Sequence, residues 1–447
     1  MTIAASLANV RAFRANPVAF YYTITGAGER YRRVVPFDLF GPNLLVNDPE
    51  LVRTVLLTPD EGGLGKEGLR FFAVIRRMIG RGAFTLDGAP HQRSRRLVQP
   101  ILRPRSLATA TEAMTRAAQR LRDDWTTGDE RVVDVQAVAG EAALDLLAHA
   151  VVGKRRACEI RELAALSMAA EEPLLHVLKA PIVFPEWLPT PANRRLARAS
   201  RALRERATRL VRSSTTNPPA PGSLLAQLLD RARAAGTSEA ELVDELRTLV
   251  VAGHQSTAAA IAFTLHALAT HPVPARQVEQ EAASVLGDRA ATAADLPRLP
   301  HTRMAVDEAL RMYPPVWIIT RRATRDIELG NRRLRAGTVV HICPHTLHRN
   351  PAHWPEPDRF LPERFADTGD RHQFAYAPFG GGPHKCLGNH FALMAAVTVV
   401  ATLCATVRLS TSGPSRTSGA DVRVSARSFT VAEDGLPLAV AGRPPQE

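Results

Sequence analysis

Cysteine, lysine and long apolar runs are all scarce in this 447-residue chain, and each scarcity argues against a class of protein. Four cysteines (Cys158, Cys343, Cys386, Cys404) give no disulfide framework over such a length and fit a reducing cytoplasm. No run of about eighteen apolar residues occurs, and the mildly apolar N-terminus carries Arg11 and Arg14. Neither a membrane anchor nor a secretory signal is expected. Of 57 basic residues only Lys66, Lys154, Lys179 and Lys385 are lysines, so arginine carries the net charge of +13. Those arginines are scattered, which argues against a nucleic-acid binder. A basic face that docks an acidic protein explains the same excess.

What is present suits a large core: 45% of residues are hydrophobic and 23% charged. At about 150 residues per domain the length suggests two or three domains. Segments from about 87 to 388 nevertheless each carry part of one site, so residues 1–447 are expected to form a single unit. Its class reads as mostly α with a small β region. The β-rich parts are expected at about 30–60, 316–345 and 405–440, and the α-rich parts at about 87–315 and 387–405. Asp48 and Pro49 open a helix through Leu57. The glycine-punctuated, apolar stretch 61–84 reads as a flap over a cavity, and the proline-rich stretch 181–191 as a lid.

The stretch Phe379-Gly380-Gly381-Gly382-Pro383-His384-Lys385-Cys386-Leu387-Gly388 organises the rest. Three glycines free the backbone for a tight turn whose amides can aim at a sulfur, and an apolar helix follows with its positive end toward Cys386. Both effects favour a thiolate. A packed, inert cysteine would need none of these neighbours, and a thiolate bonded to haem iron uses them all.

Upstream, Pro90 starts a helix on which His91 and Arg95 share a face at i, i+4, two donors suited to an anion. Ser238 and Glu241 form a capping box for a helix that runs to about His271. In its middle stands Val251-Ala252-Gly253-His254-Gln255-Ser256-Thr257. A mid-helix glycine beside hydroxyls that can bond backbone carbonyls makes a helix open locally. Glu308 and Arg311 face one another at i, i+3 before Pro314-Pro315, and Pro362-Glu363-Arg364-Phe365 follows.

Together these motifs, in this order, resemble the cytochrome P-450 superfamily over about residues 34–440. The resemblance implies a triangular, α-rich prism with a long central helix over haem b. It implies Cys386 as the axial iron ligand, with Phe379, Gly380, His384 and Gly388 shaping its loop. It implies His91, Arg95 and Arg321 as propionate partners, and Glu308, Arg311 and Arg364 as a buried structural cluster. Ala252, Gly253, Gln255, Ser256 and Thr257 fall on the oxygen-activating motif. There Gln255 stands where the family carries an acid, and Ser256 where it carries threonine. Glutamine cannot shuttle a proton as a carboxylate does.

The implied reaction is hydroxylation or epoxidation of a neutral apolar molecule with O2. Its electrons come from NAD(P)H through a separate ferredoxin or flavodoxin and its reductase, in the cytoplasm and without membrane or nucleic acid. Secondary metabolism of a terpenoid or polyketide is the expected setting. Phe72, Phe84, Val177, Val251, Trp317 and Ile318 are the expected pocket. A peroxide-using or oxidative-coupling enzyme, and a non-enzymatic haem sensor or carrier, are the competing readings.

Overall fold

Side chains that alternate or repeat along the chain decide which segments become strands and which become helices, and helices dominate the result. The computed structural model describes residues 3–26, 31–38, 41–58, 62–179, 184–367, 369–411 and 422–443. The expected lid therefore lies partly outside the described residues, at 181–183.

Strands gather where expected. One sheet orders Val34–Asp38, Pro42–Val46, Val339–Ile342, Ile319–Ala323 and Leu64–Gly65. Tyr21 and Asn43 bracket His341 inside it, at 2.9 Å to Nδ1 and 2.8 Å to Nε2. A second sheet joins Arg131–Asp134, Pro437–Gly442 and Val407–Thr411. Asp48 caps Pro49–Leu57 by accepting the Glu50 and Leu51 amides.

Two expectations needed correction. The stretch 61–84 is no simple flap: Arg70–Ile79 is a helix with Phe72, Val74, Ile75, Met78 and Ile79 buried. Its glycines sit outside that interval, so nothing in 70–79 interrupts the helical ladder. The strand expected from Val316 begins at Ile319 instead, and the Trp317 indole N–H turns away to Arg427 O at 3.0 Å.

Among the described residues, length and composition would let three helices cross a membrane: Val135–Val152, the run Glu239–Thr270, and Asn389–Thr406. Counting uninterrupted apolar residues missed them because polar residues break each run, among them Gln136, Glu141, Asp145 and His149 in the first and Thr398 and Thr402 in the third. More than half of each is buried inside the fold. The first belongs mainly to one core with Leu146, Leu147 and Val151, and the third to another with Val399, Val400 and Leu403.

The central run is capped at Ser238 with the capping box complete, Glu241 answering the cap amide at 3.0 Å. It divides into Glu239–Gly253 and Gln255–Thr270, with His254 as the joint. At about 1.5 Å per residue the whole run spans close to ~50 Å.

Candidate active site

The cysteine loop is built by backbone bonds rather than side chains. The Cys386 amide donates to Phe379 O at 2.9 Å and the Lys385 amide to Gly382 O at 3.1 Å. Gly382 has φ +62, and a Cβ there would lie 2.0 Å from Leu56 O. Only glycine fits that approach. Gly380 also turns at φ +65. Phe379 packs against the core that contains the Asn389–Thr406 helix.

Cys386 is exposed, although protein atoms crowd round its thiol. Burial pushes its thiol up, while a Gly388 amide bond and the charges of Arg95 and Lys385 oppose that shift. The loop's own groups thus act in the expected direction, toward the thiolate, and desolvation acts against them. The amide that meets the sulfur is Gly388's, from the helix cap; the glycine triplet supplies the turn.

The Gly88–Val98 helix reaches the same loop. Arg95 Nη1 donates to Lys385 O at 2.9 Å. His91 is buried and stacks on His384 with ring centroids 4.0 Å apart. Arg321, 5% exposed, donates to Thr320 O at 2.9 Å from the sheet. Sequence reasoning missed Lys66 and Asp87 beside this group. Buried Lys66 donates to Phe84 O and Leu86 O, both at 3.0 Å, and its ammonium lies 5.4 Å from the Phe72 ring centroid. Asp87 accepts the Lys66 amide at 2.6 Å and stands 3.8 Å from His384 Nε2. The available signal was rarity: Lys66 is one of four lysines, and it lies in an apolar stretch.

On the central helix, Ala252 is exposed although most of its neighbours from Thr257 to Leu268 are buried. Two hydroxyls bond back four residues, Ser256 to Ala252 O and Thr257 to Gly253 O, each at 2.8 Å. Such back-bonding takes carbonyls from the ladder and accompanies the break at His254. It also commits the Ser256 proton to the backbone. His254 is buried with Nδ1 3.3 Å from Val250 O, and burial lowers its pKa. Gly253 packs on the facing helix, where a Cβ would come within 3.1 Å of Leu147.

Of the expected pocket, Phe72 and Val177 are buried in one core against which Val251 packs. Phe84, 42% exposed, has its ring 5.6 Å from Phe72. Trp317 and Ile318 pack instead against the cluster of Phe20, Tyr21 and Phe37.

Glu308 and Arg311 are fully buried. Arg311 grips Glu308 through Nε at 2.7 Å and Nη2 at 2.9 Å, and donates onward to His348 O, Pro357 O and Arg359 O. Arg364 Nε and the Leu361 amide reach the same Glu308 oxygen at 3.1 and 2.9 Å. Both oxygens of the buried carboxylate are thus engaged, Oε1 by three donors and Oε2 by one.

Comparison with known proteins decides the family. The cytochrome P450 family model matches residues 31–417. This chain belongs to the cytochrome P450 family. Among relatives of the P450, cyclooctat-9-en-7-ol 5-monooxygenase from Streptomyces melanosporofaciens is 33% identical, over 81% of this chain and 79% of its own. Pentalenene oxygenase from Streptomyces avermitilis is 28% identical over 87% and 85%. The cytochrome P450DA heme domain shares the fold at TM-score 0.82 and 24% identity, covering 96% of this chain and 94% of that one. Family and relatives together make the protein a P450 monooxygenase.

The residues present fit the haem that the family implies. Among the described residues no three His, Cys, Asp or Glu side chains gather to hold a bare ion. One cysteine with an open side suits an iron whose equatorial ligands come with a macrocycle, and the basic groups around it suit carboxylates.

Proposed function

We propose that this P450 inserts oxygen from O2 into a neutral, apolar small molecule. Its two electrons pass from NAD(P)H through a separate ferredoxin or flavodoxin and its reductase. The observation that carries the reading is Cys386: an open thiol on a glycine-fixed loop, met by the Gly388 amide and flanked by Arg95. Bound haem supplies dioxygen activation, which a thiolate ligand promotes by pushing electron density toward the iron.

The chain's own groups do the rest. Cys386 would provide the thiolate, and His91, Arg95, Arg321 and His384 would neutralise and orient the haem carboxylates. Ala252 is exposed beside the break at His254, and a small diatomic molecule and water would sit there. Ser256, whose proton is given to Ala252 O, presents its oxygen as an acceptor that orders a water. Gln255 offers an amide donor and acceptor at this point and no titratable proton, so protons must arrive through water. Phe72, Phe84, Val177 and Val251 form a largely apolar wall, at which Lys66 and Arg70 are held by the carbonyls of Phe84 and Val177, and this suits a hydrocarbon skeleton.

The relatives named for cyclooctat-9-en-7-ol and pentalenene favour a terpenoid over a polyketide and a place in secondary metabolism. A cytoplasmic enzyme is consistent with the free cysteines. Screening the purified holoprotein against terpenoids for a Soret shift, followed by product analysis with NADPH and a surrogate ferredoxin system, tests the reading. Oxygenated product is expected; binding with no reductant-dependent product overturns it. The glutamine at 255 also supports a second reading, peroxide-driven chemistry, which predicts faster turnover with hydrogen peroxide than with NADPH and its partners.

A further inference from the structure

Between the helices Arg70–Ile79 and Gly88–Val98 the chain forms a tight loop, and acidic residues of the central helix hold it. Asp244 accepts the Arg81 amide at 2.7 Å and Arg247 Nη1 at 2.7 Å, while Arg247 Nη2 donates to Met78 O. Next to it Glu245, 4% exposed, accepts the Ala83 amide at 3.1 and 3.3 Å. The same carboxyl accepts the Ser94 hydroxyl from the following helix. The fit is close: a Cβ on Gly82 would meet Glu245 Oε2 at 3.1 Å, and one on Gly80, where φ is +82, would meet Asp244 at 2.1 Å. Phe84 is the residue after Ala83.

We infer that Glu245 is a positioning residue: by gripping Ala83 and Ser94 together it fixes the 80–87 loop, and with it Phe84, against the central helix, and the loop stays closed more firmly at low pH than at high. Calling that wall the substrate's rests on the function proposed above; the grip itself does not.

The electrostatics give the sign. From the loop only the Ala83 amide touches Glu245, and from the Gly88–Val98 helix only the neutral Ser94. Asp244 and Glu241, on its own helix, add negative charge. The nearby cations turn elsewhere: Arg247 pairs with Asp244, and Arg204, from the Pro191–Ser213 helix, lies 4.0 Å from Asp244. Arg81 donates its amide to Asp244 and is exposed. Burial pushes the Glu245 pKa up to about 7, helped by the Asp244 and Glu241 charges and outweighing the Ser94 and Ala83 bonds, which favour the ionised form. A neutral carboxyl still accepts the Ala83 amide and can donate to Ser94. Opening the loop hydrates the group and returns its pKa toward 4.5. Loop opening therefore grows as pH rises between these values, by about tenfold per unit at most, and levels off above the higher one.

Hydrogen exchange of the full-length holoprotein, followed in peptides covering 80–87 and corrected for intrinsic rate, tests this. From about pH 5.5 to 7.5 the opening constant should rise by about twentyfold. Glu245→Gln keeps an acceptor and a donor and should flatten the profile near its low-pH level. Glu245→Leu should open the loop at both pH values while peptides from 300–312 stay protected. Ser94→Ala should raise exchange in 80–87, and it keeps the test open should the leucine variant not fold. In parallel, the rate of the Soret shift on adding 4-phenylimidazole should follow the exchange. A flat wild-type profile, a Glu245→Gln profile parallel to the wild type, or unchanged exchange in Ser94→Ala overturns the inference. A missing Soret response with the predicted exchange pattern would instead count against the proposed haem chemistry.

Discussion

Two buried glutamates, one per region, show how the same side chain can be made permanent or adjustable. Glu308 lies at 0% exposure between two arginines and an amide. Glu245 lies at 4% and receives only an amide and a hydroxyl, with acids beside it. Burial is nearly equal, and the counter-charge differs. With cations the carboxylate is locked and the surrounding backbone is bound to it. Without them the group pays the full desolvation cost and becomes sensitive to protons.

The largest effect should come from breaking the locked pair. Glu308→Ala leaves Arg311 buried beneath Trp354 with no counter-ion, and removing one partner of such a pair costs about 3–5 kcal/mol. Loss of soluble, haem-retaining protein is expected, measured as the haem-to-protein ratio after purification. A variant with unchanged ratio and unchanged denaturation midpoint would show that the cluster bears little of the fold's stability.

Acid sharpens the contrast next. His348 donates its Nδ1–H to Arg311 O and accepts the Ala377 amide at Nε2, and burial lowers its pKa to about 3; His341, held by Tyr21 and Asn43, is lowered to about 3 as well. Both are neutral in the folded protein. Their contribution is complete above the ordinary histidine value of 6.5 and is lost as pH falls from there toward 3, at about 1.4 kcal/mol per pH unit for each. Glu245 has the opposite sign, because its raised pKa means stability is lost as pH rises from 4.5 to about 7. Two histidines outweigh one glutamate, so the urea midpoint should fall between pH 6.5 and 5. A midpoint that climbs over that interval would contradict the neutral assignment.

The smallest structural change, Gln255→Glu, asks whether the oxygen groove can use a titratable group. Product formed per NAD(P)H consumed is expected to rise or hold. A sharp fall would show that the glutamine is required as it stands.

Much of this was legible in the residues. The capping box at Ser238, the break beside Gly253 and the cysteine turn follow from local chemistry, because a cap, a glycine and a hydroxyl act on their own segment. Glu308 and Arg311 were legible as a pair by spacing, whereas their burial under Trp354 needed the fold. Lys66, Asp87 and Glu245 were missed for the same reason. Their partners lie 18 to 162 residues away, and no local pattern reports a contact at that distance. The helix 70–79 was hidden by the glycines that flank it. Trp317 was misplaced because apolar character does not say which core a side chain joins.

The central claim is that Cys386 bonds haem iron. The measurement that tests it most directly is the absorption spectrum of dithionite-reduced holoprotein under carbon monoxide, compared with Cys386→Ser. The wild type should show the red-shifted Soret band of thiolate-ligated haem, and the variant should lose it while peptides of the Glu308 cluster remain protected. A wild type without that band, or a serine variant that keeps it, would contradict the account.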